Sequence, residues 1–313
     1  MPTLRRIQYH RYGGPEVMRL EDFEPRPLGP DDVLVRVRAA AVNPMDIGLR
    51  NGKMKMVTGR RFPRGLGHDF AGIVEAVGKN VTRLRVGDEV LGAASIKEAG
   101  AFADVVVADQ VSVAKKPAEL SFEAAAALPI AAGTAYQALF KIARLQPGES
   151  VFVHACLGAV GRSAVQLASA NGATVAGSCR SGSEAEARDL GVDPIVDFDF
   201  DPTALRRRFN VVLDSAGKLP SKKARAILTP KGRIVSVMPS PANMVRSALP
   251  GPFHVVIGKE DIADLEALTR IAAEGHLRLP IAQAVPLSQA IPALTELEKN
   301  GTAKRGKLIV LPG

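Results

Sequence analysis

Hydrophobic and polar positions change their pattern at about residue 125. Before that point, short alternating or β-branched runs are separated by turns rich in glycine and proline. The strands predicted here are 6–9, 18–21, 33–41, 72–77, 89–91 and 103–107. Many short strands with such turns are typical of a closed or partly closed sheet, so residues 1–125 are predicted to form a barrel-like β domain.

Between residues 126 and 258, strands and helices alternate, which predicts a doubly wound parallel sheet. Ser121 is predicted to cap a first helix that Pro129 interrupts, and a second helix is predicted from Gly133 to about Ala143. The later elements are strands at 151–154, 174–178, 210–214, 232–237 and 253–257, and helices at 160–171, 184–190 and 221–228.

The last 55 residues leave this alternation. Helices are predicted at 260–274 and 288–299, and strands at 282–285 and 307–311. We expect this tail, 259–313, to return to the first domain.

A glycine turn joins the strand 151–154 to the next helix. Gly158 and Gly161 match the last two glycines of a G-x-G-x-x-G fingerprint, but Cys156 holds the place of the first. A strand, a tight turn and a helix in this order would place a dinucleotide pyrophosphate at the helix N-terminus. The alternative is a tight turn without a ligand. The predicted contacts at the turn are Leu157, Gly158, Ala159, Val160 and Gly161.

Composition is that of an ordinary globular protein, with 46 % hydrophobic and 23 % charged residues. The sequence contains no apolar run long enough for a membrane span and no signal-peptide pattern at its beginning. Two cysteines give no disulfide framework, so a reducing cytoplasm is expected. The basic residues behind the net charge of +9 are spread along the chain, and their one dense run, 206–208, is expected to be solvated. Aromatic residues, on which bases could stack, are few. Nucleic acid is therefore not the favoured partner.

An ordered set of motifs extends over nearly the whole chain. The motifs are 40–46, 66–72, 86–90, 128–129 with 133–136, 158–161 with Gln166, and 305–310. The set resembles the medium-chain dehydrogenase/reductase family, in its zinc-independent quinone oxidoreductase (zeta-crystallin-like) branch. The resemblance implies a GroES-like β-barrel domain at 1–125 and 259–313, a Rossmann domain at 126–258, and a homodimer. Its departures are the bulk of Cys156 and Leu157 in the turn and Gly48 where many members carry an active-site tyrosine.

Zinc is not expected. His68 matches the histidine of the zinc-binding members, but Asn43 stands in place of one cysteine ligand and Ile130 and Ala131 lie in the region of the other. A catalytic zinc ion needs three protein ligands. His68 is interpreted as a hydrogen-bonded buried histidine, with a role in placing substrate as the alternative.

The end of the second Rossmann strand favours NADPH over NADH. An NAD site places an acid there to hold the ribose hydroxyls, but the sequence gives Ser178 and Arg180 and no acid before Glu184. Ser178 and Arg180 would accept a 2′-phosphate, arginine through charge-assisted hydrogen bonds. The alternative is that Arg180 is a solvated surface residue.

The resemblance places Asn43 and Thr134 beside the nicotinamide as the catalytic-site residues. Asn43 as part of an Asn-Pro turn and Thr134 as a helix cap are the alternatives. Further cofactor contacts are expected at strand ends and in the tail; they are Ser215, Ala216, Val237, Met238 and Lys307.

Without a metal to polarise a ketone, the acceptor must already be activated. The function predicted is therefore transfer of hydride from NADPH to a quinone or to the alkene of an α,β-unsaturated carbonyl, an enoyl thioester included. No general acid stands out, since Tyr136 is expected to pack within its helix, and solvent would supply the proton. The competing hypothesis is an NADPH-binding scaffold or RNA-binding protein with little turnover. The strand 253–257 is the candidate dimer edge, or else an internal strand.

Overall fold

The computed structural model describes residues 3–259, 261–300 and 306–312. Glu260 and Arg305, which the sequence analysis uses, lie outside these ranges. The described residues fall into two units. The first takes those within Met1–Ile130, Glu260–Ala273 and Arg278–Gly313, and the second those within Ala131–Lys259 and Glu274–Leu277. The domain boundaries drawn from the sequence, at 125/126 and 258/259, stay a prediction.

The strands, numbered along the chain, are β1 (Arg5–Tyr9), β2 (Arg19–Asp22), β3 (Asp32–Ala41), β4 (Arg64–Gly65), β5 (Asp69–Val77), β6 (Glu89–Ala93), β7 (Val105–Asp109), β8 (Val113–Lys115), β9 (Ser150–His154), β10 (Thr174–Ser178), β11 (Ile195–Val196), β12 (Phe209–Asp214), β13 (Leu228–Ser236), β14 (Phe253–Val255), β15 (Ile281–Pro286) and β16 (Lys307–Leu311). The helices are α1 (Pro44–Arg50), α2 (Lys55–Thr58), α3 (Phe122–Ala126), α4 (Pro129–Tyr136), α5 (Ala159–Ala170), α6 (Glu184–Asp189), α7 (Ser221–Ile227), α8 (Pro241–Ala248), α9 (Ile262–Ala273) and α10 (Ala290–Asn300). None of the helices in the described ranges is long and apolar enough to cross a membrane.

The first unit is built around β3. Its inward positions Val33, Val35 and Val37 are buried, as the alternation of its sequence requires. A seven-stranded sheet has the order β15-β16-β3-β5-β6-β8, with β7 also paired to β3, and a smaller sheet has the order β2-β1-β4. The tail returns to this unit as expected, because β16 pairs antiparallel with β3 through Ile309 and Ala41.

The second unit carries one six-stranded sheet in the order β11-β10-β9-β12-β13-β14, with every pairing parallel. This is the doubly wound order in which β9 and β12 flank the point where the winding reverses. Phe152, Val212 and Ile234 are among the buried side chains of its core. The predicted fold class is confirmed, and β14, the candidate dimer edge, lies at the end of the sheet.

Prolines account for three of the differences from the predicted elements. Pro129 begins α4 rather than interrupting a helix, and Pro44 and Pro241 begin α1 and α8, two helices that were not predicted. Proline suits the first helical position, because the N–H that it lacks has no intrahelical partner there. The sequence analysis therefore interrupted a helix at Pro129 and missed the helices that begin at Pro44 and Pro241.

Candidate functional site

A buried polar network joins three strand ends of the first unit. Asn43 lies just beyond the end of β3, His68 and Asp69 lie at the start of β5, and Lys307 opens β16. Because β3 pairs with both β5 and β16, these strand ends meet, with Ala41 opposite Asp69 on one side. All four side chains are at most 5 % exposed.

Asn43 is the centre of this network. Its Nδ2 donates to Asp69 Oδ2 at 2.9 Å, and its Oδ1 accepts from Lys307 Nζ at 2.6 Å. Asp69 Oδ1 accepts in turn from the backbone N–H of Ile130 at 3.0 Å. The amide of Asn43 is therefore held on both its oxygen and its nitrogen, which fixes its orientation.

The ion pair within the network is costly to bury. Burial raises the pKa of Asp69 to about 6, although the ammonium of Lys307 opposes the shift. Burial lowers the pKa of Lys307, and Asp69 opposes that shift. Both shifts disfavour the charged form, so desolvation outweighs the attraction across the 3.9 Å that separates Lys307 Nζ from Asp69 Oδ2.

His68 extends the network through Asp46. Asp46 Oδ1 is 2.6 Å from His68 Nδ1, and Asp46 Oδ2 accepts the backbone N–H of Asn43 at 2.7 Å, where α1 begins. Asp46 therefore has a structural role, since it holds both the imidazole and the start of α1. His68 is 1 % exposed, and its Nε2 is buried without a hydrogen-bond partner among the described residues.

These side chains do not fit a zinc site. Within residues 3–259, 261–300 and 306–312, no three histidine, cysteine, aspartate or glutamate side chains are grouped so that they could hold a metal ion. The two carboxylates beside His68 are engaged by Asn43, Ile130 and the imidazole itself. Zinc independence stays a prediction.

In the second unit, the glycine turn has the geometry of a dinucleotide site. Ala155 takes the left-handed conformation with φ +58°, and its carbonyl accepts the N–H of Gly158 at 3.0 Å. A Cβ at Gly161 would lie 2.3 Å from the Ala155 carbonyl oxygen, so only glycine lets α5 begin this close to the turn. The N–H groups of Ala159, Val160 and Gly161 belong to the first turn of α5, where no intrahelical acceptor exists.

Cysteine in place of the first glycine does not close this turn. Cys156 is buried rather than directed at the helix start, and its backbone N–H donates to Ser178 O at 2.9 Å. Burial, together with neighbouring Cys179, raises the pKa of the Cys156 thiol to about 12, so the group stays neutral. Arg162 braces the same turn, since its Nε donates to the carbonyl of Leu157 at 2.9 Å. The turn therefore fits a dinucleotide phosphate at α5, with Leu157 half-buried beside it.

The two residues predicted to read the ribose phosphate differ in exposure. Ser178 is fully buried at the end of β10, and its hydroxyl lies 2.8 Å from His154 Nδ1 and accepts the N–H of Ala155. Arg180, two residues further, is exposed and makes no ion pair with any residue that the structure describes. Both contacts with the ribose phosphate stay predictions, and of the two side chains that of Arg180 is the exposed one.

The remaining predicted contacts follow the ends of β12 and β13. Ser215 donates to the carbonyl of His154 at 2.7 Å, which links the ends of β12 and β9, and Ala216 is half-buried beside it. Val237 is half-buried, and Met238 is 46 % exposed. Four strand ends of one sheet thus meet at its carboxyl edge, where open α/β sheets bind ligands.

Two further residues that the sequence analysis named, Thr134 and Gly48, lie within helices. Thr134 lies half-buried within α4 of the second unit rather than at its start, so it is not the cap of that helix. Gly48 lies within α1, and a Cβ built on it meets nothing within 4 Å.

Sequence reasoning missed Asp69 as a member of the site, and it assigned Lys307 to the cofactor. The structure places Lys307 in the network of the first unit, on Asn43, and its contact with a cofactor stays a prediction. The signal that could have found Asp69 is its position after Gly67 and His68, at the start of a buried strand. A carboxylate there needs a cation or several donors, because an isolated buried charge is too costly.

Comparison with known proteins places the chain in a family. Residues 29–118 match the model of the alcohol dehydrogenase GroES-like domain, and residues 190–310 match that of the zinc-binding dehydrogenases. A quinone oxidoreductase of Pseudomonas aeruginosa is 33 % identical over 98 % of this chain and 99 % of its own length. A 2-methylene-furan-3-one reductase of Solanum lycopersicum is 36 % identical over 72 % of this chain and 60 % of its own.

A solved structure shows the same likeness to quinone oxidoreductases. The quinone oxidoreductase of Coxiella burnetii superposes with a TM-score of 0.88 at 30 % identity, over 98 % of this chain and 99 % of the other. Members of this family use a nicotinamide cofactor, which the glycine turn fits, and the prediction of an oxidoreductase is confirmed. The chain belongs to the medium-chain dehydrogenase/reductase family, in its quinone oxidoreductase branch.

Proposed function

We propose that this protein transfers hydride from NADPH to a quinone or to the alkene of an α,β-unsaturated carbonyl compound, without zinc. The observation that carries the proposal is likeness along the whole chain to quinone oxidoreductases. The tomato relative, a 2-methylene-furan-3-one reductase, supports extending the acceptors to conjugated alkenes. Quinone and enone share the needed chemistry, since hydride adds to a carbon conjugated with an oxygen that takes up the negative charge.

The second unit would hold the cofactor by its phosphates. The N–H groups of Ala159, Val160 and Gly161 point along the axis of α5, where the helix dipole favours an anion. Arg180, which forms no ion pair with a described residue, would bind the 2′-phosphate that distinguishes NADPH from NADH. Gly158 at the helix start keeps the approach open, since a Cβ there would touch only the Ala155 carbonyl, at 3.4 Å.

When bound, the nicotinamide supplies the hydride, and the protein supplies position and a water-poor site. Asn43 and Thr134 are the residues that we propose beside the ring. Asn43 is suited to this because its bonds to Asp69 and Lys307 fix the amide before any ligand arrives. Ser215, Ala216, Val237 and Met238 would border the nucleotide from the strand ends.

Turnover with matched acceptors tests the function. NADPH and NADH oxidation is followed at equal concentration with 1,4-benzoquinone, with 3-penten-2-one and with 2-pentanone, each against a blank without enzyme. The expected result is turnover of the first two with NADPH preferred, and none of the saturated ketone. Reduction of 2-pentanone in preference to 3-penten-2-one would contradict the proposal.

We further propose a homodimer that pairs through the free edge of β14, and a cytoplasmic location. Beside that edge Ile257 is 58 % exposed, although it is apolar. An unpaired strand edge with an apolar neighbour favours association. Both cysteines are free and buried, which suits a reducing compartment.

One observation favours polyanion binding as a second function. A recess of about 440 Å³ on the second unit is lined by Arg206, Arg207, Lys222 and Arg225. None of these four cations forms an ion pair with a described residue, and Arg207 takes the left-handed conformation with φ +53°. Titration with a labelled RNA of arbitrary sequence at several salt concentrations tests this function. A steep salt slope that Arg207→Glu reduces would support it, and equal binding by the variant would reject it.

A further inference from the structure

A stretch of the first unit, residues 47–68, carries positive charge without any acid. It holds six lysine and arginine residues and neither aspartate nor glutamate. Two of these cations are engaged, since Arg50 pairs with Glu298 and Arg64 donates to the carbonyl of Thr58. The other four are exposed and form no ion pair with any residue that the structure describes; they are Lys53, Lys55, Arg60 and Arg61.

An apolar pair, Met56 and Val57, projects from the middle of this stretch. Met56 is 96 % exposed, the highest value for any large apolar side chain in the described ranges, and Val57 is 56 % exposed. Single exposed apolar residues are common, whereas apolar surface that is held outwards and rimmed by polar residues marks a site of contact. The way in which the backbone holds this pair is therefore decisive.

The short helix α2 directs Met56 away from the protein. The N–H groups of Val57 and Thr58 both donate to the carbonyl of Met54, so the chain makes one helical turn here. Thr58 is the buried member of that turn, at 8 % exposed. Successive residues of a helix are offset by about 100°, so Met56, two positions before Thr58, lies on roughly the opposite side. The exposure of Met56 thus follows from the path of the backbone.

Tyr12 holds this turn in place. Its hydroxyl lies 2.7 Å from Thr58 Oγ1 and donates to the carbonyl of Gly59. Its ring meets the ring of Phe62 edge-on, with 5.2 Å between the centroids. Gly52 packs on the same ring, since a Cβ there would lie 3.1 Å from it. Both ends of the stretch 52–62 are therefore fixed on one side chain, and the apolar pair projects from an anchored turn.

Cations lie on both sides of the apolar pair. Lys53 and Lys55 flank Met54 just before it, and Arg60 and Arg61 follow it, after Gly59 has turned the chain in the left-handed conformation with φ +71°. Lysine and arginine can keep their charged ends in a polar layer while their apolar stems lie against apolar surface. Apolar side chains between cations therefore suit a partner that offers anionic groups and an apolar layer side by side.

We propose that residues 53–61 form a membrane-docking surface: the four exposed cations bind the headgroups of an anionic lipid bilayer, and the apolar pair enters the boundary of its acyl layer. This inference is independent of the proposed function, because docking is measured without turnover. The cytoplasmic location proposed above would place the surface opposite the anionic leaflet of a membrane.

Charge and shape favour a bilayer over the two other partners that cations could attract. The core of a protein interface is depleted of charged residues, whereas here four cations surround two apolar side chains. A nucleic acid would engage the cations through its phosphates and would leave the apolar pair in water. Only a lipid surface takes up both kinds of side chain.

The first arm of the test measures binding to vesicles by cosedimentation. The vesicles contain phosphatidylcholine alone or phosphatidylcholine and phosphatidylserine in equal amounts. We expect binding to the mixed vesicles only, and weaker binding as salt is added. Each cation near an anionic surface contributes a factor of about fivefold, so Arg60→Ala/Arg61→Ala should weaken the affinity by about 20-fold. The control is Lys222→Ala/Arg225→Ala, which removes the same charge from exposed positions of the second unit and should leave the affinity nearly unchanged.

The second arm measures insertion of the apolar pair. The chain contains no tryptophan, so Met56→Trp supplies a single indole at the proposed point of insertion. Its emission should shift to shorter wavelength on the mixed vesicles, and lipids brominated in their acyl chains should quench it, because the indole leaves water. Val86→Trp is the control, since Val86 is also exposed, at 63 %, in the same unit but outside the stretch. Its emission should not change.

Binding to mixed vesicles with both expected differences from the controls would support the inference. Equal weakening by the two double variants would assign the attraction to the net charge of +9 and overturn it. Binding without a change in the emission of Met56→Trp would do the same, because the cations would then act alone. So would an absence of binding to either kind of vesicle. An emission shift that grows with protein concentration without vesicles would make the surface an interface between copies of this chain, against the proposal.

Discussion

Lys307 Nζ donates a hydrogen bond of 2.6 Å to Asn43 Oδ1, although the two residues lie 264 positions apart. The contact joins β16, the last strand of the first unit, to the residue that follows β3. Its donor, the ammonium of Lys307, is buried. Asp69 lies against both residues, so removing Lys307 leaves the Asp69 carboxylate without its cation. The same contact orients the amide that the proposed function uses.

Replacing Lys307 by methionine should destabilise the protein. Met fills a similar volume but leaves the Asp69 carboxylate buried without its cation, so the free energy of unfolding should fall by about 3 kcal/mol. Denaturant unfolding measures it. Lys115→Met is the control, because Lys115 is 56 % exposed and its pair with Asp88 should contribute no more than about 1 kcal/mol. Equal losses of unfolding free energy in the two variants would contradict a buried ion pair between Lys307 and Asp69.

The stability of the native protein relative to Asp69→Asn should depend on pH. Burial raises the pKa of Asp69 in the native protein to about 6, from an ordinary value of 3.8. Between those values the native state binds the extra proton, so this residue's contribution to stability is full at low pH and falls as pH rises through the window.

The free energy of unfolding of Asp69→Asn minus that of the parent should therefore increase by roughly 2–3 kcal/mol between about pH 4 and pH 7. Subtracting the parent's value removes the contributions of the other acids to the pH dependence, because their pKa shifts are common to both proteins. Denaturant unfolding across this pH range measures it. A constant difference would show that Asp69 is not the titrating group.

Arg180 should determine coenzyme preference. Calorimetric titration should give tighter binding of NADPH than of NADH, and Arg180→Ala should reduce the preference by about tenfold through loss of a charge-assisted hydrogen bond. Arg188→Ala is the control, since Arg188 is equally exposed in the neighbouring α6. Unchanged preference in Arg180→Ala would assign the 2′-phosphate to another group.

The β14 edge should control oligomeric state. Ile257→Lys places a charge beside the proposed dimer edge and should shift the dimer towards monomer, as measured by light scattering across protein concentrations. Val86→Lys is the control, because Val86 is also apolar and exposed, at 63 %, but lies in the first unit. A parent protein that is monomeric at all concentrations would reject the dimer.

Local pattern was enough to predict much of the fold. β10 and β16 lie at the residues predicted for them, because their β-branched runs and flanking turns are local signals. Helices that open on Pro44, Pro129 and Pro241 were missed or shifted, since proline is shared by turns and first helical positions. In the same way, the Asn43–Pro44 pair indicated a turn but not the polar contacts that Asn43 makes.

The site was predicted only in part, because its bonds are tertiary. Nothing local shows that Lys307 reaches Asn43, or that the hydroxyl of Ser178 turns to His154. His68 was named, but the unsatisfied state of its Nε2 appears only when every neighbour is in place. Residue type selects candidates, and packing decides which of their atoms remain available.

The central claim is hydride transfer from NADPH to the activated carbon of a conjugated acceptor. The most direct measurement follows the label from NADPH that carries deuterium at C4 of the nicotinamide, each diastereomer in turn, with 3-penten-2-one as acceptor and mass spectrometry of the product. We predict deuterium on the β-carbon, C4 of the 2-pentanone formed, from one diastereomer only. NADPH consumption without deuterium in the product, or no consumption with either this enone or 1,4-benzoquinone, would contradict the account.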